Sequence, residues 1–245
     1  MAQAAKKKNV SPLSVKVWGI GPDIPYGRVY LWTGASWSEP NPAARLDQIC
    51  ATWGSDTWGI GSSQRIFLSM TDGASWSEPN PAAKSHQISS ADGDTWAIGD
   101  SFRVSLSMDY GKSWLEPNPG AQLKQISAGK SNNVWGIGPN GRVYKRNSSN
   151  AWEEPNIVAR LTQISAMSVD GAWGIGDSNR VFLCLDGESW TEPNPNAKAY
   201  QISATGAAGA WAIGDGNRVF MTEDGGRSWS EPSPQARLKQ VSAQP

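Results

Sequence analysis

The sequence predicts an all-β fold, a six-bladed β-propeller built from four-stranded antiparallel blades. Three observations support this prediction: one unit recurs six times, each unit carries four short β-type segments, and the two ends of the chain are complementary. Successive units begin 38 to 40 residues apart in the 245-residue chain. A period near 40 with four strands per unit is typical of a propeller blade.

Two tryptophans and a glutamine mark every unit. A W-[GA]-I-G segment begins at Trp18, Trp58, Trp96, Trp135, Trp173 and Trp211. A second tryptophan precedes a Glu-Pro at Trp37, Trp76, Trp114, Trp152, Trp190 and Trp229. The glutamine begins a short apolar segment at Gln48, Gln87, Gln125, Gln163, Gln201 and Gln240. Twelve of the 14 tryptophans are therefore repeat positions.

The fourth unit shows how its segments become strands. Residues 124–128, 134–138, 142–144 and 151–154 form four short β-type runs, which we name A to D from the inside outwards. Gly, Asn, Asp and Ser separate the runs, as tight turns require. No window has the 3.6-residue period of an amphipathic helix, so we expect essentially no helix.

The chain ends predict how the repeats assemble. The first unit starts at its B segment, residues 15–20, and the chain finishes on a lone A segment, residues 238–243. Each end supplies what the other lacks, and a closed ring removes the exposed sheet edges that invite aggregation. We expect the C-terminal strand to join the N-terminal blade. Residues 14–245 then form one domain, after a flexible tail over residues 1–13.

Side-chain alternation predicts the packing between blades. In W-G-I-G the Trp and Ile point to one face and the glycines to the other. We expect the indole of one blade to lie on the bare glycine face of its neighbour. Residues 107–114 and 222–229 fit S/T-x-D-x-G-x-x-W, which resembles the Asp-box hairpin of sialidases and other propellers, a folding motif more than a site.

Composition excludes several classes of partner and location. Lys plus Arg and Asp plus Glu both number 22, so the basic surplus of a nucleic-acid binder or an anionic-membrane binder is absent. The sequence contains no run of 18 apolar residues, which is the length needed to span a bilayer as a helix. The first ten residues lack the apolar core of a signal peptide, so we expect a cytoplasmic protein. Two cysteines cannot form a disulfide framework.

A reaction centre needs a set of residues that occurs in one repeat only, and the six repeats contain no such set. His86 is the only histidine, and no P-loop, H-E-x-x-H or G-x-S-x-G motif occurs. The glutamates that precede the prolines are interpreted as loop anchors: Glu39, Glu78, Glu116, Glu154, Glu192 and Glu231. We therefore expect no enzyme, no cofactor and no metal. A glycosidase of the Asp-box type stays open as an alternative.

Polar residues recur on the B–C turns and on the D–A crossovers. One arginine per unit begins segment C: Arg28, Arg65, Arg103, Arg142, Arg180 and Arg218. The preceding turns supply Asp100, Asp177, Asp215, Asn140, Asn179 and Asn217. The crossovers supply Asn41, Asn80, Asn118, Asn156 and Asn194. We predict that all of these residues bind ligand.

This combination of side chains suits a sugar. Planar Arg donors and Asp and Asn acceptors match directional hydroxyls, and an indole matches the apolar face of a sugar ring. The alternative for each arginine is that it stacks on a Trp or ties down the neighbouring crossover. Six equivalent positions predict a multivalent binder.

The order W-[GA]-I-G, R-V-[FY], S-W-x-E-P-N-P and Q-I-S-A resembles the tectonin repeat over residues 14–244. The resemblance implies a propeller lectin of innate defence that, in fungi, recognises O-methylated glycans at sites repeated around the ring. It implies methylated mannose or fucose as partners of those positions and an assembly of identical chains, with a tetramer as the working expectation. The first two units depart from the D-x-N-R pattern at their B–C turns.

Physical chemistry makes a methyl preference reasonable. An O-methyl group removes a donor and adds an apolar cap worth roughly 1 kcal/mol when buried. Weak single sites repeated on one molecule could raise avidity by roughly 10²–10⁴ on a dense glycan surface. The remaining alternative is a non-catalytic scaffold propeller that binds a protein or peptide.

Overall fold

The computed structural model describes residues 15–52 and 54–244. Over these ranges the chain contains 22 strands, and its only other regular elements are four three-residue 3₁₀ turns. The prediction of an all-β chain with almost no helix is confirmed. The predicted tail over residues 1–13 lies outside the described residues. No helix within the described ranges has the length and apolarity needed to cross a membrane.

The strands form six sheets, and every strand pair is antiparallel. Sheet 1 contains β1 (Val17–Ile20), β2 (Gly27–Trp32), β3 (Trp37–Ser38) and β22 (Gln240–Ala243), with β4 (Arg45–Leu46) paired to β2. Sheet 2 contains β5 (Gln48–Ala51), β6 (Thr57–Ile60) and β7 (Ile66–Ser69). Sheet 3 contains β8 (Gln87–Ala91), β9 (Asp94–Ile98) and β10 (Val104–Ser107). Sheet 4 contains β11 (Gln125–Ala128), β12 (Val134–Ile137), β13 (Val143–Arg146) and β14 (Trp152–Glu153). Sheet 5 contains β15 (Gln163–Ala166), β16 (Ala172–Ile175), β17 (Val181–Cys184) and β18 (Trp190–Thr191). Sheet 6 contains β19 (Gln201–Ala204), β20 (Ala210–Ile213) and β21 (Val219–Thr222).

The outer strand differs between the sheets. Sheets 1, 4 and 5 have the predicted fourth strand, whereas in sheets 2, 3 and 6 it is reduced to one bridge, as between Leu106 and Leu115. The physical reason lies in the hairpin. In sheet 3 the Ser107 hydroxyl accepts the Gly111 N–H at 2.8 Å, and this side-chain bond replaces the next rung of the ladder.

The Asp-box hairpins of sheets 3 and 6 hold their turns with a carboxylate. Asp109 accepts the N–H of Ser113 at 2.9 Å and its hydroxyl at 2.6 Å. Asp224 accepts the same two groups of Ser228 at 3.0 and 2.6 Å. These hydrogen bonds, those from the serine hydroxyls first, lower the pKa of Asp109 and of Asp224 to about 2.

Stability should therefore fall in acid through these two groups. Their contribution is complete above the unfolded-state pKa of about 4 and is lost as the pH falls towards about 2. We expect the double variant Asp109→Asn/Asp224→Asn to be less stable at pH 7 and to lose less stability between pH 4 and pH 2. Urea unfolding at each pH measures this. Glu223→Gln, which removes one carboxylate charge from the sheet 6 hairpin next to Asp224, is the control; an unchanged acid slope in the double variant would contradict the assignment.

The inner strands are joined by glutamine side chains. The Gln87 carboxamide donates to the Ile126 carbonyl and accepts the Ile126 N–H, both at 2.7 Å, so it behaves as an extra peptide group. Gln48, Gln125, Gln201 and Gln240 make the same pair of hydrogen bonds to the next sheet, and Gln163 accepts the Ile202 N–H. Gln240 of sheet 1 reaches Ile49 of sheet 2, so the series returns to its start.

The buried core lies between neighbouring sheets. Trp18, Trp135 and Trp173 are completely buried, each in a cluster with residues of the next sheet or crossover. The expected contact of these indoles with the W-G-I-G glycines was wrong. A Cβ at Gly59 would overlap the Leu46 side chain, so the leucine that leads into the inner strand of sheet 2 covers that glycine. The indole of Trp18 instead lies against the hairpin glycine Gly73, where a Cβ would come within 2.7 Å of it.

The glycine and the leucine vary together. Gly19, Gly59, Gly136 and Gly174 each face a leucine, respectively Leu238, Leu46, Leu123 and Leu161. In sheet 6, where Ala212 replaces the glycine, Ala199 stands in the leucine position and both pack in one cluster. A larger residue on the strand is thus matched by a smaller one opposite, which keeps the packed volume constant.

We expect Gly136→Ala to destabilise the chain by about 1–3 kcal/mol, because its Cβ would overlap Leu123. Leu123→Ala alone should cost about 2–5 kcal/mol through the cavity it leaves. The double variant reproduces the native alanine pair of sheet 6 and should cost clearly less than the two single changes together. Urea unfolding of all four proteins gives the coupling; additive costs would show that the two side chains do not share this space.

Candidate functional site

The backbone conformation of the turns that precede the arginines explains which residues occupy those turns. In sheets 2, 3, 5 and 6 these turns are the 3₁₀ segments Ser62–Gln64, Asp100–Phe102, Asp177–Asn179 and Asp215–Asn217. Their last two residues have positive φ, for example 58° at Ser178 and 61° at Asn179. Asn and Gly adopt this conformation at little cost, which accounts for the D-x-N-R pattern. The turn ends by placing the arginine at the start of the third strand.

All six predicted arginines pair with the glutamate of their own sheet. The closest N–O distances are 3.6 Å for Arg28–Glu39, 2.6 Å for Arg103–Glu116, 2.8 Å for Arg142–Glu154 and 3.2 Å for Arg180–Glu192, and Arg65–Glu78 and Arg218–Glu231 pair in the same way. The arginine side chains remain 42–56% exposed, whereas the glutamates are mostly buried. The hydrogen bond from Arg65 lowers the pKa of Glu78. Each pair therefore presents a fixed, ionised guanidinium to solvent.

Three of the arginines, Arg65, Arg180 and Arg218, also lie over aromatic rings. The guanidinium carbon is 5.5 Å from the Phe67 ring centroid for Arg65, and it is 5.2 Å from that of Phe220 for Arg218. The alternative of stacking thus occurs, but on the phenylalanine two residues along the strand and not on a tryptophan. Cation–π contact on one face leaves the outer face and edge of the guanidinium open.

The crossover asparagines use their amides on the protein backbone. Each Oδ1 accepts the N–H two residues along the chain, at 2.9–3.2 Å, for Asn41, Asn80, Asn118, Asn156 and Asn194. In four of them the amide nitrogen also donates to a carbonyl of the next sheet's outer hairpin, as from Asn194 to Arg227 at 3.0 Å. These asparagines shape the crossover and fix it to its neighbour.

The predicted turn residues have varied partners. Asp100 lies 3.0 Å from the His86 ring nitrogen, and Asp215 accepts a hydrogen bond from the Tyr200 hydroxyl, which raises the pKa of Tyr200. Asn140 caps its own turn by accepting the Arg142 N–H at 3.2 Å. Asn179 and Asn217 accept, through their backbone carbonyls, the N–H groups of Ala199 and Leu238. Asp177 opens the turn of sheet 5.

Six of the predicted residues line grooves between neighbouring sheets: Asn80, Asn118, Asn140, Asn194, Asp215 and Arg218. A cavity of about 420 Å³ between sheets 5 and 6 is lined by Asp215, Arg218, Phe220 and Trp229 of sheet 6, and by Asn194 of the crossover. Two equivalent cavities, of about 270 and 610 Å³, lie between sheets 2 and 3 and between sheets 3 and 4. In all three the crossover asparagine faces an outer-strand tryptophan. A further cavity of about 380 Å³ is lined by the glutamines of the inner strands, whose carboxamides are already engaged.

Two partners of the predicted arginines were missed from sequence. The first is the glutamate, interpreted as a loop anchor although its 38-residue recurrence matched that of the arginine. The second is the aromatic residue of R-V-[FY], which supports the guanidinium. Within residues 15–52 and 54–244, buried oxygens of Glu39, Glu154 and Glu192 have no hydrogen-bond partner. The indole nitrogens of Trp37, Trp190 and Trp229 share this property.

Comparison with known proteins agrees with this architecture. A family model described as the tectonin domain matches residues 70–193, just over half of the chain. No curated protein matches the chain.

Among solved structures, the chain resembles a nidogen/laminin complex component (TM-score 0.67, 8% identity, covering 94% of this chain and 98% of that one). It also resembles YCF48 bound to a D1 peptide (TM-score 0.56, 16% identity, 88% and 78% covered). A third is a GH74 enzyme from Niastella koreensis (TM-score 0.58, 15% identity, 89% and 37% covered). Identities this low show a shared propeller-like fold alone. Because the family model matches just over half of the sequence, the chain belongs to the tectonin family.

Proposed function

We propose that this chain is a non-catalytic, multivalent lectin that binds saccharides in the grooves between the blades of a six-bladed propeller. The observation that carries the proposal is the repeated groove. Between sheets 5 and 6, the half-exposed Arg218 and the Trp229 indole line a cavity of about 420 Å³, and the two equivalent cavities of about 270 and 610 Å³ are each lined by an indole and a crossover asparagine. Pockets for small ligands commonly measure roughly 300–1,000 Å³.

The proposal includes a closed ring formed by one domain over residues 14–245. The pairing of β22 with β1 over four residue pairs supports closure. The glutamine series, which returns from Gln240 to Ile49, supports six blades around one axis. A ring matters for function because it places equivalent grooves around one molecule and so permits multivalent attachment.

The chemistry of the groove favours a neutral sugar. The Arg218 guanidinium donates to hydroxyl oxygens, and the Asp215 carboxylate that lines the same cavity accepts from a hydroxyl. An apolar sugar face or an O-methyl group fits against the crossover alanine and the outer tryptophan, which are Ala197 and Trp229 in the sheet 5–6 groove.

We propose O-methylated mannose or fucose as the ligand, in the manner of the fungal tectonin 2 lectins, with a role in innate defence. A cytoplasmic store and an assembly of identical chains complete the proposal. Such an assembly would increase the number of grooves facing a glycan-covered surface and hence the avidity.

A scaffold that binds a protein remains a second candidate. The commitment of the crossover asparagine amides to the backbone favours it, as with Asn194 and Arg227. The exposed arginine edges and the tryptophans that line the cavities favour the lectin instead.

Removal of groove arginines tests the lectin. We expect wild-type protein to bind immobilised O-methylated mannose or fucose, and Arg180→Ala/Arg218→Ala to bind with lower capacity and at least tenfold lower avidity. Arg227→Ala, which removes an exposed hairpin arginine outside the grooves, is the matched control. Equal binding by both variants would indicate that the binding site lies outside the grooves. Absence of saccharide binding by all three proteins would favour the scaffold.

A further inference from the structure

The last residue of each crossover divides the six grooves into two sets. Three crossovers end in an arginine whose Nη1 donates to two carbonyls of the same crossover. Arg45 reaches Pro42 and Ala44 at 2.8 Å each, Arg160 reaches Ile157 and Ala159 at 3.0 and 2.8 Å, and Arg237 reaches Pro234 and Ala236 at 2.8 and 2.7 Å. We call these three the crossover arginines.

The other three crossovers end in Lys84, Gln122 and Lys198. No side-chain hydrogen bond or ion pair of these residues occurs among the described residues. Each of them lines one of the three inter-sheet cavities described above, those of about 270, 610 and 420 Å³. Those cavities therefore lie beside crossovers without a fixed arginine.

Two neighbouring grooves allow a close comparison. Sheets 5 and 6 both present an arginine over a phenylalanine, at 5.3 Å for Arg180 and 5.2 Å for Arg218. Both arginines pair with the outer-strand glutamate of their own sheet. The crossover leading to sheet 5 ends in Arg160, whereas the one leading to sheet 6 ends in Lys198.

The crossover turn itself is the same in both. Ala159 donates its N–H to the Asn156 carbonyl at 3.2 Å, and Ala197 donates to the Asn194 carbonyl at 3.0 Å. The two carbonyls that Arg160 uses thus have counterparts beside Lys198. A planar guanidinium bonded at two points stays in place, whereas a lysine ammonium is a flexible, strongly hydrated point charge that can move into solvent.

We propose that the crossover arginines restrict three of the six grooves, so that saccharide binds first in the grooves of Lys84, Gln122 and Lys198. This rests on the proposed lectin function. A ligand in a restricted groove must displace a guanidinium that holds two hydrogen bonds, which should weaken binding by about tenfold. The residue at the end of the crossover would then decide which grooves are used at a given saccharide concentration.

Exchange of the two residues tests the proposal with the charge unchanged. Both side chains are exposed, so Lys198→Arg and Arg160→Lys should fold as the wild type does. Crystals of each protein are soaked with an O-methylated methyl mannoside. We expect the ligand between sheets 5 and 6 in the wild type, an empty sheet 5–6 groove in Lys198→Arg, and a newly occupied sheet 4–5 groove in Arg160→Lys. Lys198→Gln, which copies the residue at Gln122, should keep the wild-type pattern.

Titration calorimetry of the same proteins should give fewer strong sites for Lys198→Arg and more for Arg160→Lys. Equal occupancy of all six grooves in every protein would overturn the role of the crossover arginines and leave the lectin standing. Absence of the mannoside from every groove of every protein would overturn the lectin, and this proposal with it.

Discussion

A chain that ends at residue 237 should lose cooperative unfolding. The deletion removes β22, which pairs with β1 between Val17 and Ala243 at one end and between Ile20 and Gln240 at the other. It also removes Leu238, which covers Gly19. The inner edge of sheet 1 would then be unpaired, and an unpaired strand edge promotes association.

The deletion would also interrupt the contacts between inner strands at two points. Gln201 would lose Val241, and Ile49 would lose the Gln240 carboxamide. We therefore expect a shortened chain that aggregates or melts over a broad range, by circular dichroism and light scattering. A cooperative transition near the wild-type temperature would show that β22 is not needed to complete the fold.

A circular permutant tests whether folding requires β22 itself or its covalent connection to the preceding sheet. The Gln244 N–H donates to the Lys16 carbonyl at 3.1 Å, so a short turn could join the end of β22 to the start of β1. A permutant that begins at residue 236, continues through this turn into residue 15 and ends at residue 235 keeps every strand. It should melt cooperatively near the wild-type temperature.

Trp135→Ala should be among the most destabilising single substitutions, at about 3–5 kcal/mol. The Trp135 side chain is fully buried and packs edge-on against Trp190 at a centroid distance of 6.0 Å. Its Nε1 donates to Asn133 Oδ1 at 2.7 Å. The Asn133 amide in turn donates to the carbonyls of Met167 and Gly171 at 3.0 and 2.9 Å.

The substitution therefore leaves both a cavity and an acceptor without its donor, next to the contact between sheets 4 and 5. Trp135→Phe keeps most of the ring and loses only the indole N–H, so it should cost roughly 1–3 kcal/mol. Trp152→Ala, at a half-buried outer position, should also cost less than Trp135→Ala. Urea unfolding ranks the three; an equal cost for Trp135→Ala and Trp152→Ala would contradict the assignment of the core to the B strands.

Much of the fold could be predicted because the repeat is dense in signals. The spacing of Trp135 and Gln125 relative to their counterparts set the strands and their order. Contacts between units were harder to predict, since alternation shows which face a side chain occupies but not what covers it. The glycine of W-G-I-G was assigned to a neighbouring indole, whereas Leu123 of the crossover covers Gly136.

The candidate site was predicted unevenly for the same reason. The arginines were recognisable as repeated, exposed polar groups, and one of them, Arg218, lines a groove. The glutamates were underestimated because an acidic residue before a proline looks like a turn anchor until its partner, 11 to 13 residues earlier, is brought beside it. The role of Asn194 in joining two sheets required a contact 33 residues away, which no local pattern encodes.

The most direct test of the central claim is calorimetric titration of the wild-type chain with paired methyl mannosides, one O-methylated and one not. The lectin account predicts more than one saccharide bound per chain and tighter binding of the O-methylated member. Binding of both members with equal affinity would retain the lectin and remove the methyl preference. No binding of any saccharide to the folded chain would contradict the account.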